Sequence, residues 1–298
     1  MRIVSRPDFD GLVCAALLYE VEQISKPVKW AEPNDMQKGM VSIYPGDILA
    51  NLPFHPDCAL WFDHHYTNKP AENYKGSFKI APSAAGVVYE YYKERFTRDY
   101  SELIRQTDKI DSAELSLDEV LHPEKYPYIL LSMTLSGSEP ADEPYWNRLV
   151  EMLRKCSIEE IMEDAEVKKR CRTVRADNEK FKSVLENHTR MHGHVSVTDL
   201  RSYATAPRGN RFLVYSMFPG AIASMKIRRH TEEPGKVIVG VGHSIFNRGC
   251  KVNVGLMLSQ FGGGGHRGAG SCTLSESKAE ETIADIIEIL KKNEDNEL

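Results

Sequence analysis

Three short stretches of the 298-residue chain carry side chains that could do acid–base or metal chemistry. Asp8 and Asp10 stand in SRPDFDG, Asp47 follows MVSIY in PGD, and Asp63, His64 and His65 follow CALWF. In an extended segment residues two apart point to the same side, so Asp8 and Asp10 can face one site together. Each group follows an apolar, strand-like run, and parallel strands would bring all three ends to one edge of a sheet. ELIRQTDKIDSAEL adds Asp108 and Asp111 in a helical or turn setting. So many carboxylates held together repel one another and raise each other's pKa. Divalent cations relieve that repulsion, and mixed carboxylate and imidazole ligands suit Mn²⁺, Fe²⁺, Co²⁺ or Zn²⁺. Two ions about 3.5–4 Å apart, bridged by one carboxylate, activate a water and stabilise a phosphoryl transition state. Taken singly, a D-x-D pair is more often a turn or cap, and a His-His pair a surface feature. Their joint order, each behind a strand, reverses that balance.

A second chemical feature lies late in the chain, in FGGGGHRGAG (261–270). Four successive glycines lose too much entropy on ordering to serve as a core element. Their successive N–H groups can instead form a concave nest for an anion. Gly263, Gly264 and Gly265 are the backbone of that expected phosphate site, with His266, Arg267 and the preceding Arg248 as side-chain donors. A flexible linker is the plainer reading, but this run sits inside a domain, between an amphipathic helix and a strand.

The elements that must position these residues alternate. RIV (2–4), MVSIY (40–44) and CALWF (58–62) read as strands, rich in branched and aromatic residues between turn signals. GLVCAALLYEVEQI (11–24) reads as a mostly buried helix, and PSAAGVVYEYYKERF (82–96) as a helix opened by proline and serine. The alternation predicts an α/β domain with a largely parallel sheet. From about 100 to 190 the chain is helical and charged. HVSVTDL, FLVYSMF, AIASMKIRR and KVIVGVGHSIF then predict a smaller sheet, followed by a helix near VNVGLMLSQF, the glycine loop and a last helix over 277–292. NEDNEL reads as a frayed tail. The expected organisation is a metal-binding domain over 1–175, a helical linker over 176–192 and a smaller α/β domain over 193–298, with the active-site cleft between the domains.

Composition narrows the partners. With 41% hydrophobic and 27% charged residues the chain can build a real core. Its longest apolar runs, such as LVCAALL, fall far short of the ~20 residues that span a bilayer, so no membrane partner is expected. The first ten residues show no apolar signal core, and six scattered cysteines form no C-x-x-C pair, which together point to the cytoplasm. A net charge of −5 argues against a large duplex-DNA surface and leaves a short phosphorylated ligand open.

R-P-D-F-D-G, then Asp47, D-H-H and Asp108 resemble the DHH phosphoesterase superfamily, and GGGGHRGAG resembles the glycine-histidine motif of its DHH-associated C-terminal domain. The resemblance spans nearly the whole chain. It implies a metal-dependent phosphohydrolase in a group of RecJ-like exonucleases, oligoribonucleases, cyclic-dinucleotide phosphodiesterases and exopolyphosphatase-like proteins. The short C-terminal domain is most similar to the oligoribonuclease and exopolyphosphatase-like members. Expected substrates are therefore short single-stranded oligonucleotides or small phosphorylated nucleotides, with inorganic polyphosphate as the alternative; homodimerisation is left open. By resemblance Asp8 serves a first metal and Asp10 a second, Asp47 bridges them, and His64 and Asp108 complete the second. His65 faces the substrate phosphate, and Asp63 fixes the imidazoles. Asp47 is preferred to Asp35 and Asp57 for its place after a strand, and Asp108 to Asp111. Mn²⁺ is the expected ion, with Mg²⁺ or Co²⁺ as substitutes. The chain departs from the family at Val4, where a histidine ligand of the first metal usually stands. Either water or another residue fills that place, or the first site is weak, and a relative that binds nucleotide or phosphate without turnover is the reading this leaves open.

Overall fold

The computed structural model describes residues 1–68, 73–135 and 140–297, and the chain divides into two compact units. The first comprises Met1–Leu115 with Pro123–Arg172, the second Ser116–His122 with Thr173–Leu298.

The first unit is built on five parallel strands: β1 (Arg2–Ser5), β2 (Lys29–Trp30), β3 (Asp47–Ala50), β4 (Leu60–Asp63) and β5 (Gly76–Phe78), in the order β2-β1-β3-β4-β5. Helices on a parallel sheet leave no face for water, and the central strands accordingly read as continuous apolar runs. Ile3, Val4, Ile48, Leu49, Trp61 and Phe62 are fully buried. The helix Phe9–Val21 starts where Asp8 accepts a 2.8 Å hydrogen bond from the Gly11 N–H, a side-chain N-cap. Gly11 is required there: a Cβ would stand 2.0 Å from the Arg6 carbonyl. The helix is apolar nearly all round, as a core helix must be. Helices Ala84–Tyr91 and Ser101–Asp111 pack beside it.

One strand expectation is corrected. Met40–Tyr44 forms no strand; β3 begins three residues later, at Asp47. Met40 and Tyr44 are exposed, whereas Asp47–Ala50 is buried throughout, and burial on both faces selects the central strand.

The second unit carries a mixed sheet of β6 (Thr189–His192), β7 (Val195–Asp199), β8 (Ala223–Arg229), β9 (Lys236–His243), β10 (Gly264–His266) and β11 (Ala269–Ser275), in the order β10-β11-β9-β8-β7-β6. Only β7 and β8 pair in parallel. Val197, Met225, Val239 and Cys272 line one face, against which helices Val254–Ser259 and Glu276–Lys292 pack. The long helix Ala165–His188 begins in the first unit and continues into the second. FLVYSMF, expected in the sheet, instead holds the short helix Leu213–Met217, since Leu213, Val214 and Tyr215 are buried consecutively with no alternation to suit a strand. The glycine run is a hairpin arm, β10 pairing with β11, and not an open loop. Nor is the tail frayed: Asn293 and Asn296 accept hydrogen bonds from the Lys251 and Asn253 backbone.

Candidate active site

The carboxyl ends of β1, β3 and β4 lie side by side, with Ser5 paired to Ala50 and Ala50 to Phe62. Asp8 and Asp10, Asn51, and Asp63 to His65 follow directly on those ends. Asp10 is buried, and its two oxygens accept the Ala84 and Ala85 N–H groups at 2.9 and 2.8 Å. Those donors are the first turn of helix Ala84–Tyr91, whose partial positive charge favours an anion. Burial and the neighbouring Asp8 charge still push the Asp10 carboxyl up to about 7.

His64 Nδ1 stands 2.8 Å from the Ala81 carbonyl oxygen. A carbonyl only accepts, so Nδ1 carries a proton, and the neutral ring presents its Nε2 lone pair on the other side. That Nε2 is buried without a hydrogen-bond partner, 3.8 Å from Asp10 and 3.4 Å from Asp111. An orphaned imidazole nitrogen between two carboxylates has the chemistry of a metal ligand, and Asp10, His64 and Asp111 offer ligand atoms within 4.8 Å of one another. Burial and the charge of Asp10 raise the Asp111 carboxyl as well, as expected of acids crowded together.

His65 is held differently. Its Nδ1 lies 2.9 Å from Asp63, whose other oxygen accepts from Asn68 at 2.8 Å. Burial opposes the imidazolium, but the hydrogen bond and charge of the fully buried Asp63 outweigh it, so the His65 pKa is raised. The two rings are 4.2 Å apart, one facing the carboxylates and the other held by Asp63.

Of the residues expected in the metal set, Asp47 stands elsewhere, while Asp108 lies near enough to feel the charge of His64 but is engaged by Ser83. Asp47 opens β3, paired to Arg2 at the opposite end of the strand from Asn51. It forms an ion pair with Arg2 at 2.5 Å and accepts the Tyr44 N–H at 2.9 Å. The rule that ligands sit at strand ends is sound, but the strand itself lies later than expected, and the residue at its end is Asn51. Asp108 accepts the Ser83 hydroxyl at 2.5 Å, and Ser83 caps helix Ala84–Tyr91, so Asp108 braces the helix that holds Asp10. Asp111, one turn on, is the acid that reaches His64.

Asn51 was not singled out by its sequence context. It is buried with left-handed backbone (φ 56°), a conformation asparagine tolerates better than most residues. Its Nδ2 donates to Asp8 at 3.0 Å, while its Oδ1 is buried without a partner. The available signal was Asn51 itself, a residue that tolerates turn conformations, directly after the apolar run ILA (48–50). Arg6 was also missed; it pairs with Asp8 at 3.2 Å and Glu32 at 3.4 Å and offsets part of the acidic charge. Val4 packs among Leu49, Leu52 and Trp61, in the core and not on the strand end.

In the second unit Gly262 and Gly263 donate to Ser259 and Leu258 carbonyls, ending helix Val254–Ser259, so those two N–H groups form no anion nest. Gly264, Gly265 and His266 run in β10, where Gly265 takes φ 152° and approaches Gly255 so closely that a Cβ on the latter would meet its carbonyl at 2.4 Å. His266 and Arg267 are exposed, Arg267 in an ion pair with Glu297. Arg248 is exposed and donates to the Ile245 carbonyl at 3.3 Å.

No protein-family model matches the chain, and no curated protein does. Solved structures do. The chain is similar to the pGpG-specific phosphodiesterase PggH from Vibrio cholerae, at 31% identity and a TM-score of 0.82, over 98% of this chain and 99% of that one. It has the fold of Mn²⁺-bound RecJ from Thermus thermophilus, at 13% identity and a TM-score of 0.58, over 99% of this chain and 52% of RecJ. A second manganese-bound RecJ exonuclease matches at 12% identity and a TM-score of 0.53, over 99% of this chain and 90% of that one. Fold and site together define a hydrolase acting on phosphoester bonds. The chain belongs to the DHH phosphoesterase superfamily.

Proposed function

We propose that the protein is a Mn²⁺-dependent phosphodiesterase that hydrolyses short single-stranded oligonucleotides, with a 5′-phosphorylated dinucleotide such as pGpG as its preferred size. The observation that carries the metal dependence is the orphaned His64 Nε2 facing Asp10 and Asp111. The similarity to PggH over both chains supports the substrate size. Asp10, His64 and Asp111 hold one ion, with Asp111 in the place expected of Asp108. Asp8 and the unpartnered Asn51 Oδ1 serve a second, in the place expected of Asp47. When bound, such ions lower the pKa of a water and neutralise phosphate charge. His65, protonated against Asp63, donates to the leaving oxygen, and Asp63 keeps the ring oriented. His266 and Arg267, which border the glycine hairpin, take the substrate's phosphate together with Arg248.

The test is hydrolysis of pGpG, longer oligoribonucleotides, adenosine bisphosphate and inorganic polyphosphate with Mn²⁺ or Mg²⁺, alongside His64→Ala. Metal-dependent mononucleotide release from pGpG, lost in His64→Ala, is the expected result. Turnover of polyphosphate alone would replace this substrate class with the exopolyphosphatase reading.

A further inference from the structure

In a sheet, directly paired residues share a face, so the ladder of the second unit assigns side chains to its two sides. One side holds the core. On the other, one row runs Lys226–Gly240–Ser271–Gly264 and the next runs Ser224–Gly242–Ala269–His266. His266 therefore looks out over the same face as Lys226 and, one pair further along β8, Arg228. Each row crosses from β8 to β10, a span of about 14 Å at ~4.8 Å per strand spacing. Between the two ends the surface is low: a Cβ at Gly240 would meet nothing nearer than a backbone oxygen 4.0 Å away.

The far end of this shelf is cationic without compensation. Burial and the like charges of Arg228 and Arg211 all act to lower the Lys226 pKa. Among the described residues no carboxylate makes an ion pair with Lys226, Arg228 or Arg211. Their sequence neighbour Arg229 is paired with Glu276, and Arg201 with Asp199 and Glu280. Uncompensated cations brought together on a chain of net charge −5 repel one another, a cost that an anionic ligand removes. Hydroxyls stand beside them. Ser224 donates to the Tyr215 hydroxyl at 2.9 Å, and that oxygen lies where a Cβ of Gly242 would come within 2.9 Å of it. The charge of Arg211, whose guanidinium lies over the Phe212 ring, is felt by Tyr215 as well as by Lys226.

We propose that this outer face is a second phosphate-binding surface, on which Lys226, Arg228 and Arg211 hold a backbone phosphate of a single-stranded oligonucleotide whose neighbouring phosphate lies toward His266. Gly240 of β9 leaves room for the chain between the two positions, beside the Tyr215 hydroxyl that covers Gly242. This rests on the oligonucleotide reading above and extends it to a preference for chains with more than one phosphate.

The experiment separates the two. Binding of a 5′-fluorescein tetraribonucleotide to the full chain is followed by polarisation in EDTA, across a salt series, without requiring turnover. Lys226→Gln/Arg228→Gln is expected to weaken binding at least tenfold and to flatten the log–log salt slope by about 0.7 per cation removed. Lys226→Arg/Arg228→Lys should restore both, and Lys291→Gln, a remote exposed site, should change neither. Hydrolysis of bis(p-nitrophenyl) phosphate with Mn²⁺ reports the metal site independently and should be unaltered in every variant. Equal affinity and slope in the double glutamine variant, or no salt-dependent binding by the unaltered protein, would overturn the surface. Failure of metal-dependent hydrolysis with normal binding would overturn the enzymatic reading instead.

Discussion

His64 and His65 are adjacent, chemically identical and differently employed, and the difference lies in what each Nδ1 touches. A carbonyl partner leaves the His64 Nε2 lone pair for a cation, whereas a carboxylate partner favours the charged form of His65. Asp63→Asn should therefore lower the pH at which His65 loses its proton, read by NMR titration of the metal-free protein. An unchanged midpoint would mean that Asp63 does not govern that proton. The sign for stability follows from the raised folded value. The His65–Asp63 contribution is complete below the ordinary imidazole pKa of about 6.5 and is lost as pH rises through the raised one. Val4 gives a second prediction at this scale. Its side chain lies in an apolar cluster with Leu49 and Trp61, so Val4→His should destabilise the fold by about 1–3 kcal/mol in urea unfolding without adding a metal ligand. Tighter metal binding in that variant would show that the ring can reach the strand end after all.

At the scale of elements, the acidic site depends on a helix terminus. Ser83 caps helix Ala84–Tyr91, Asp108 accepts from Ser83, and the first N–H groups of that helix hold Asp10. Ser83→Ala should cost about 1 kcal/mol of stability through the lost cap. It should also weaken Mn²⁺ binding, measured by calorimetry, although Ser83 is no ligand. Loss of stability with unchanged metal affinity would confine the cap to a structural role. In the second unit the tail does comparable work against the proposed phosphate-binding residues: Glu297 pairs with Arg267 and accepts from Asn253. A carboxylate on that arginine competes with phosphate, so Glu297→Gln should tighten tetraribonucleotide binding by a fewfold. Weaker binding would show instead that Glu297 positions Arg267 for the ligand.

For the molecule as a whole, the crowding of Asp8, Asp10 and Asp111 is an electrostatic cost that a cation converts into stability. A ligand that binds only the folded state at 100 times its Kd adds about 2.7 kcal/mol. Mn²⁺ should accordingly raise Tm by several degrees, EDTA should reverse the rise, and His64→Ala should abolish it. A Tm indifferent to Mn²⁺ would argue that these acids hold no ion. Among the described residues no helix is long and apolar enough to cross a membrane.

The α/β architecture, the two sheets and the DHH-type site at strand ends were legible in the chain because they rest on local facts: apolar runs, turn residues and short motifs of fixed spacing. D-x-D and D-H-H each fall within a few residues, so their chemistry survives any uncertainty about where strands begin. Asp47, Asn51, Asp108 and Asp111 are another matter. A strand boundary shifted by a few residues moves Asp47 to the far end of β3 and delivers Asn51 to the site, and local propensity does not distinguish those alternatives. Asp108 and Asp111 lie about one helical turn apart, and which of them reaches His64 depends on the rotation of helix Ser101–Asp111 as it packs. The pairing of Lys226 with Gly240, and through Ser271 with the glycine hairpin, is a matter of strand register between segments far apart in the chain. Only tertiary packing decides register and rotation, because both are set by which buried surfaces fit together and not by the residues' own preferences.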